Sequence, residues 1–228
     1  MMNQVMQMVK EFPFAVLITG AIMVGLYISN ILYDHKVPHY ISRKIGHAAG
    51  GLGFLACAFL FSSGWWPLIL ASGFVLLLWG ARLVRPHTFR GVGGTGRPTN
   101  AMAEVWFPLS ALPLIAIGWI WLDRPIETIV CLLFMAWGDC VTGLVRSQFY
   151  HQAVKGAWGT LAMFITCVII AWAFIHPFWI GLVAAAAATV TEFVSGDVGF
   201  IKKLDDNLAI PLVSFAILFG LLGLTGRL

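Results

Sequence analysis

Eight mostly apolar stretches follow one another along the chain, broken only by short polar segments. They run over 12–33, 47–63, 65–84, 105–122, 126–146, 157–175, 177–195 and 208–225. Each approaches the roughly 20 apolar residues that a helix needs to cross a bilayer. The pattern predicts an all-α, polytopic membrane protein of about eight transmembrane helices. The first stretch is too long for a signal-peptide core and reads as a retained span. Only 11% of the 228 residues are charged, against about 25% in an average chain. A surface that poor in charge excludes an ordinary soluble domain, a nucleic-acid reader and a disordered chain. The spans leave no room for a separate soluble unit, so residues 1–228 read as a single integral-membrane domain.

Loop charges give this arrangement a direction. Alternate loops fall on opposite sides, and one side collects Lys36, Arg43, Lys44, Arg82, Arg85, Arg90, Arg97, Arg146, Lys155, Lys202 and Lys203. Those are 11 of the 14 basic residues; Lys10, Arg124 and Arg227 fall on the other side. The positive-inside rule makes the rich side cytoplasmic and puts both termini outside. Net charge of +4 is ordinary for such loops and does not indicate nucleic acid. Seven acids gather on the same side: Asp34, Glu104, Asp139, Glu192, Asp197, Asp205 and Asp206. Acids contribute little to topology, so their gathering points to a site of mixed charge. Cys57, Cys131, Cys140 and Cys167 all lie in apolar runs without a CxxC pair. They read as small core residues.

Four constellations on that side carry chemical potential. Arg43, Lys44 and His47 stand at the start of the second span, with Arg43 and His47 on one helix face. They can hold phosphate oxygens, or serve as a positive-inside anchor. Gly50 and Gly51 let another helix come close. A glycine-rich loop over 85–104 superficially resembles a P-loop, but it has Arg97-Pro98 where that motif has Lys-Ser/Thr, and no strand precedes it. It reads as a lid or as plain solvated chain. Glu104 closes this loop and begins the next span, where an unpaired carboxylate is costly.

Asp139, Thr142, Gly143 and Arg146 form one polar stripe at i, i+3, i+4 and i+7. Asp139 lies about 10 Å inside Arg146 along the helix. An acid that deep is a functional-site candidate by default, with a stretched Asp139–Arg146 pair as the structural alternative. Lys155, Gly159 and Thr160 open the following span. Glu192 ends the seventh, and Asp205-Asp206-Asn207 precede the eighth. Asp206 or Asn207 can cap that helix. Three oxygen-bearing residues in a row exceed what a cap needs, and hard oxygen ligands suit Mg²⁺.

In this order and on one side, these blocks resemble the membrane kinase family of dolichol kinase, phytol kinase and CTP-dependent diacylglycerol kinase. The wording is closest to prokaryotic, archaeal-like relatives. The resemblance covers about residues 40–215. It rests on Arg43-Lys44-x-x-His47, Glu104-Val-Trp-Phe-Pro108, Gly138-Asp139, Lys155 with Gly159-Thr160-x-Ala162, and Asp205-Asp206-Asn207 with Pro211. Arg146, Tyr150 and Trp158 depart from the polyprenol kinases' wording.

The resemblance implies transfer of the γ-phosphate of a nucleoside triphosphate, usually CTP, to a lipid alcohol such as a polyprenol, dolichol or phytol-like prenol. The reaction would run at the cytoplasmic face of a cell membrane. Phosphoryl transfer needs positioning and charge neutralisation more than covalent help. On this reading Asp139, His47 and Glu104 are the catalytic candidates. Asp139, Asp205 and Asp206 are expected to hold Mg²⁺, and Arg43, Lys44, Arg146, Lys155, Gly159 and Asn207 to bind nucleotide and phosphate. Diacylglycerol kinase and the related CDP-lipid synthases are alternatives, although the latter's His-Gly-Gly signature is absent: Ala48 follows His47. A small transporter is the non-enzyme alternative, disfavoured because the polar residues gather at one face and no repeat appears.

Overall fold

The structure, a computed structural model, describes residues 2–85, 87–93, 102–150, 156–195 and 205–228. These residues are built from helices, with no strand among them. The order is α1 (Met2–Asp34), α2 (His39–Leu60), α3 (Trp65–Val84), α4 (Ala103–Leu114), α5 (Pro125–Leu133), α6 (Asp139–Tyr150), α7 (Ala157–Phe174), α8 (Phe178–Val194) and α9 (Asp206–Leu224). A π-helical stretch, Ile115–Trp121, prolongs α4, and a second, Phe134–Gly138, joins α5 to α6 in one rod.

The 125–149 rod is the centre of the bundle. Residues Cys131 to Ala136 are fully buried, and α5 with its π turn packs against α2, α7 and α9. On α8, Ala184, Ala185 and Ala188 are fully buried, so small side chains let it pack closely between α7 and α9. The four cysteines are free and buried, as expected of core residues. Toward the outside the polarity is reversed relative to a soluble protein. Leu17 and Tyr27 on α1, Leu76 and Trp79 on α3, and Ile169 and Trp172 on α7 are exposed. Apolar side chains facing both inward and outward mark helices solvated by lipid.

Among the described residues six helical segments are long and apolar enough to cross a membrane: 3–34, 65–84, 103–121, 125–149, 157–174 and 206–224. Helix α8 is apolar but has 17 residues. Helix α2 has 22 residues and carries Arg43, Lys44 and His47 in its first half. The eight expected segments are all helical, while length and composition qualify six of them as spans.

Two helices begin well before their apolar runs, for the same reason. Buried Glu11 accepts the Ser62 backbone N–H at 2.9 Å and the Gln7 amide at 3.0 Å, which lets α1 continue through a charged turn. Helix α2 starts after Pro38, so Arg43 and Lys44 are helical rather than loop residues. The end of α1, the starts of α2, α4 and α9, and the turn over 87–93 share one end of the bundle. The termini lie at the other end, where Trp66 Nε1 donates to Met8 O at 2.9 Å and Arg124 reaches Arg227 O at 2.5 Å.

Candidate functional site

At the end opposite the termini, the second turn of α2 faces the first turn of α6. Lys44, His47 and Asp139 are all buried there. Asp139 Oδ2 lies 2.5 Å from Lys44 Nζ and 3.2 Å from His47 Nδ1. Gly143, one turn after Asp139, clears the path: a β-carbon at that position would run into the Lys44 methylenes. Cys140 Sγ donates to Lys44 O at 3.3 Å and fixes the two helices' relative height. A charge this deep persists only when paired, and Lys44 supplies the pairing. His47 Nδ1 and Asp139 Oδ2 have no well-aligned hydrogen-bond partner among the described residues. The His47 ring packs on Phe107 of α4, with centroids 4.8 Å apart.

The expected close approaches at Gly50 and Gly51 are present. A β-carbon on Gly50 would meet the Phe107 ring, and one on Gly51 the Trp137 indole. These two contacts bring α4 and the π turn against α2. They set His47 between Asp139 on one side and the α4 start on the other.

Helices α4 and α9 begin side by side at this end. Glu104, in the first turn of α4, is buried and pairs with Arg82 Nη1 of α3 at 2.6 Å. Asn207 Nδ2 donates to Ala103 O at 3.2 Å and ties the α9 start to it. The cap of α9 is Asp205 rather than Asp206 or Asn207: its Oδ1 accepts the Asn207 N–H at 2.9 Å. Its other oxygen, Oδ2, and Asn207 Oδ1 are buried without a hydrogen-bond partner among the described residues. Burial, followed by the Asp206 charge, pushes the Asp205 carboxyl up to about 8. A cation would relieve both effects.

Of the remaining expected phosphate ligands, Arg146 and Gly159 stand apart from this cluster. Arg146 pairs with Glu192 of α8 at 2.9 Å, not with Asp139. A β-carbon on Gly159 would collide with the Arg146 side chain, so that glycine makes room for the guanidinium. Lys155 lies outside the described residues. Arg43 extends its charge toward both His39 and Asp205. Asp139, Asp205 and Asp206 do not converge: no group of three or more His, Cys, Asp or Glu that could hold a metal occurs among the described residues.

Two clefts meet at Glu104. The first is a mainly apolar groove between α1, α2, α3 and α4. It exists because α3 leans on α4 and barely touches α1 or α2. It runs along the α2 face from Gly46 to Cys57, about 16 Å at 1.5 Å per residue. His47 and Glu104 are the polar side chains in its lining, both near the Gly46 end, while Cys57, Pro67 and Ala71 line the far part. The second cleft shares Leu78 and Glu104 with the first and is lined by Arg82, Arg85, His87 and Arg90.

The second cleft depends on a turn whose structure the sequence did not announce. Residues 87–93 are pinned on α1 and α2: Gly91 N–H donates to Asn30 Oδ1 at 2.8 Å, Asn30 Nδ2 to Thr88 O at 2.7 Å, and Ser42 Oγ to Gly91 O at 3.0 Å. Arg90 pairs with Asp34 at 2.7 Å. A β-carbon on Gly91 would strike the Ser29 carbonyl, so only glycine fits. The available signal was Ser29, Asn30 and Ser42, polar residues inside or beside apolar runs. Arg82 and Glu192 were likewise missed as the partners of Glu104 and Arg146. The other half of the loop, 94–101, lies outside the described residues.

No family model matches the chain, and no solved structure does. Two curated proteins are similar to it. Phytol kinase of Synechocystis is 28% identical over 188 residues, covering 78% of this chain and 77% of that protein. Probable chloroplastic phytol kinase of Triticum aestivum is 27% identical over 217 residues, covering 84% of this chain and 70% of that protein.

Proposed function

We propose that the chain is a membrane lipid-alcohol kinase related to phytol kinase, a reading its similarity to two phytol kinases supports, and that it phosphorylates a single-chain prenol alcohol with a nucleoside triphosphate, preferably CTP, at the cytoplasmic face of a cell membrane. The observation that carries this reading is the apolar cleft whose polar end holds His47 and Glu104, with the Lys44–Asp139 pair directly behind His47. A prenol chain lies along α2 and delivers its hydroxyl to that end. A two-chain lipid suits a single groove along α2 less well.

In the proposed reaction the prenol oxygen attacks the γ-phosphorus in line. A new O–P bond forms, the bond from that phosphorus to the bridging oxygen breaks, and the nucleoside diphosphate leaves. The hydroxyl proton passes to the His47 ring nitrogen not turned toward Asp139, and Asp139 holds the ring and stabilises its charged form. Glu104, engaged by Arg82, orients the hydroxyl. Lys44 and Arg43 offset charge on the transferring group. Buried Asp205 Oδ2 and Asn207 Oδ1 are hard donors that fit Mg²⁺, which usually takes one or two carboxylates and completes its shell with substrate phosphates and water. Together with Asp206 they would hold it. When bound there, Mg²⁺ would supply positive charge that offsets the phosphates. Two or three protein oxygens without a closed cage match that division of ligands. Arg146, Gly159 and Lys155 would border the nucleotide from the α6–α7 side.

The test uses the full chain in vesicles with C15 and C20 prenols and each of four γ-labelled nucleotides. Labelled prenyl monophosphate is expected, with CTP the best donor, and His47→Ala should lower the yield at least a hundredfold. Absence of transfer from every nucleotide to every prenol would sink the reading.

A further inference from the structure

Beyond the Arg82–Glu104 pair, the arginine-lined cleft has no part in the reaction just described. It is nonetheless continuous with the apolar cleft through Leu78 and Glu104. Its cations are unequally engaged. Arg82 gives Nη1 to Glu104 and Arg90 gives Nη2 to Asp34, which leaves each guanidinium with further donors, since the group carries five N–H bonds. Arg85 makes no ion pair among the described residues. The wall that presents Arg90 and His87 is the turn pinned to α1 and α2 by the Asn30, Ser42 and Asp34 contacts. The cations are therefore held on a fixed surface at the mouth of the lipid cleft.

Resting on the kinase reading, we propose that this cleft binds the phosphate of the reaction's product, the prenyl monophosphate, while its chain still occupies the apolar cleft. A chain lying along α2 puts its head at Glu104, where the two clefts meet. Once that head carries a phosphomonoester dianion, Arg82, Arg85 and Arg90 are the cations on the far side of Glu104, and guanidinium forks match phosphate oxygens. The donor suits this cleft less well. A triphosphate arrives with a divalent cation that needs carboxylate ligands, and Glu104 and Asp34, the carboxylates here, are each engaged by an arginine. Asp205 Oδ2 and Asn207 Oδ1, buried without hydrogen-bond partners among the described residues, stand instead at the α9 start. The product is thus retained by charge after the chemistry and inhibits in competition with the prenol.

The experiment titrates the full chain in phosphatidylcholine vesicles separately with a C20 prenyl monophosphate, with the uncharged C20 prenol and with CTP, one ligand at a time, and competes the bound monophosphate with phosphatidylglycerol vesicles. The monophosphate should bind more tightly than the prenol. Arg85→Ala should weaken the monophosphate about tenfold, as loss of one charge-assisted contact does, and Arg85→Glu should weaken it more, with little effect on the prenol. Equal weakening of both ligands, or of neither, overturns the proposal. Weaker binding of nucleoside triphosphate in place of the monophosphate gives the cleft to the donor. Equal competition by phosphatidylglycerol vesicles gives it to lipid headgroups. Each of these last two results also overturns it. Because binding is read without turnover, a chain that holds the monophosphate through Arg85 yet transfers no phosphate would defeat the kinase reading alone. A chain that transfers phosphate but binds monophosphate no better than prenol would defeat this proposal alone.

Discussion

Lys44 and Asp139 are each unstable in the bundle without the other. Removing one partner of a buried pair typically costs about 3–5 kcal/mol, while replacing both by apolar residues of similar size is often neutral or stabilising. Asp139→Asn is therefore expected to insert into the membrane, to unfold at lower temperature than the parent in detergent, and to lose prenol phosphorylation. Lys44→Met combined with Asp139→Leu should recover the melting temperature without recovering activity. Recovery of both would show that the pair is structural alone. Asp139 was legible in the sequence, because a carboxylate so far inside an apolar run has few bland explanations. Its partner was not. The stripe on one helix offered Arg146 only as a stretched alternative and named no other partner; the pairing runs to Lys44, and Arg146 turns to Glu192 on another helix. Spacing along one helix shows which residues share a face. It does not show which neighbouring helix that face meets.

Helix α2 carries two functions on one rod. Its first turns hold Arg43, Lys44 and His47, and the face that follows, from Gly46 to Cys57, forms a wall of the apolar cleft. Bulk at the far part of that wall should shorten the acceptor. Ala71→Phe and Cys57→Phe are each expected to lower the C20 to C15 preference about tenfold, since a few displaced methylenes at about 0.8 kcal/mol each reach that size. The comparison is the ratio of kcat/KM values for the two prenols. An unchanged ratio would mean that the chain lies elsewhere. The helices themselves were readable to within a few residues at most ends, because lipid-exposed segments carry their signal in simple hydropathy. The starts of α1 and α2 were not, because Glu11, Arg43 and Lys44 look like loop residues until their partners are known. The turn over 87–93 was hidden for a related reason: its order comes from Asn30, Ser42 and Asp34 on other elements.

Across the whole molecule, the loop charges correctly gathered Arg43, Lys44, His47, Glu104, Asp139 and Asp205–Asn207 at one end of the bundle, opposite the termini. Which side of the membrane that end faces follows from the positive-inside rule and is open to direct measurement. The four native cysteines are buried, so single introduced cysteines report cleanly. Lys36→Cys should resist an impermeant thiol reagent on intact cells, and Arg124→Cys should react. The reverse pattern would invert the topology. The central rod adds a constraint of another kind. Its π turn, Phe134–Gly138, stands between a fully buried stretch and Asp139, and so sets the angle at which the deep half of the rod hands over to the charged half. Inserting one alanine after Gly138, with the π turn kept, would turn everything beyond it by about 100°, one residue's share of a 3.6-residue turn. Asp139 would then swing off the α2 face while the apolar segment still crossed the bilayer. Such an insertion is expected to leave a membrane-inserted protein whose residues are all present but whose two halves are out of phase, inactive for want of alignment rather than of any chemical group.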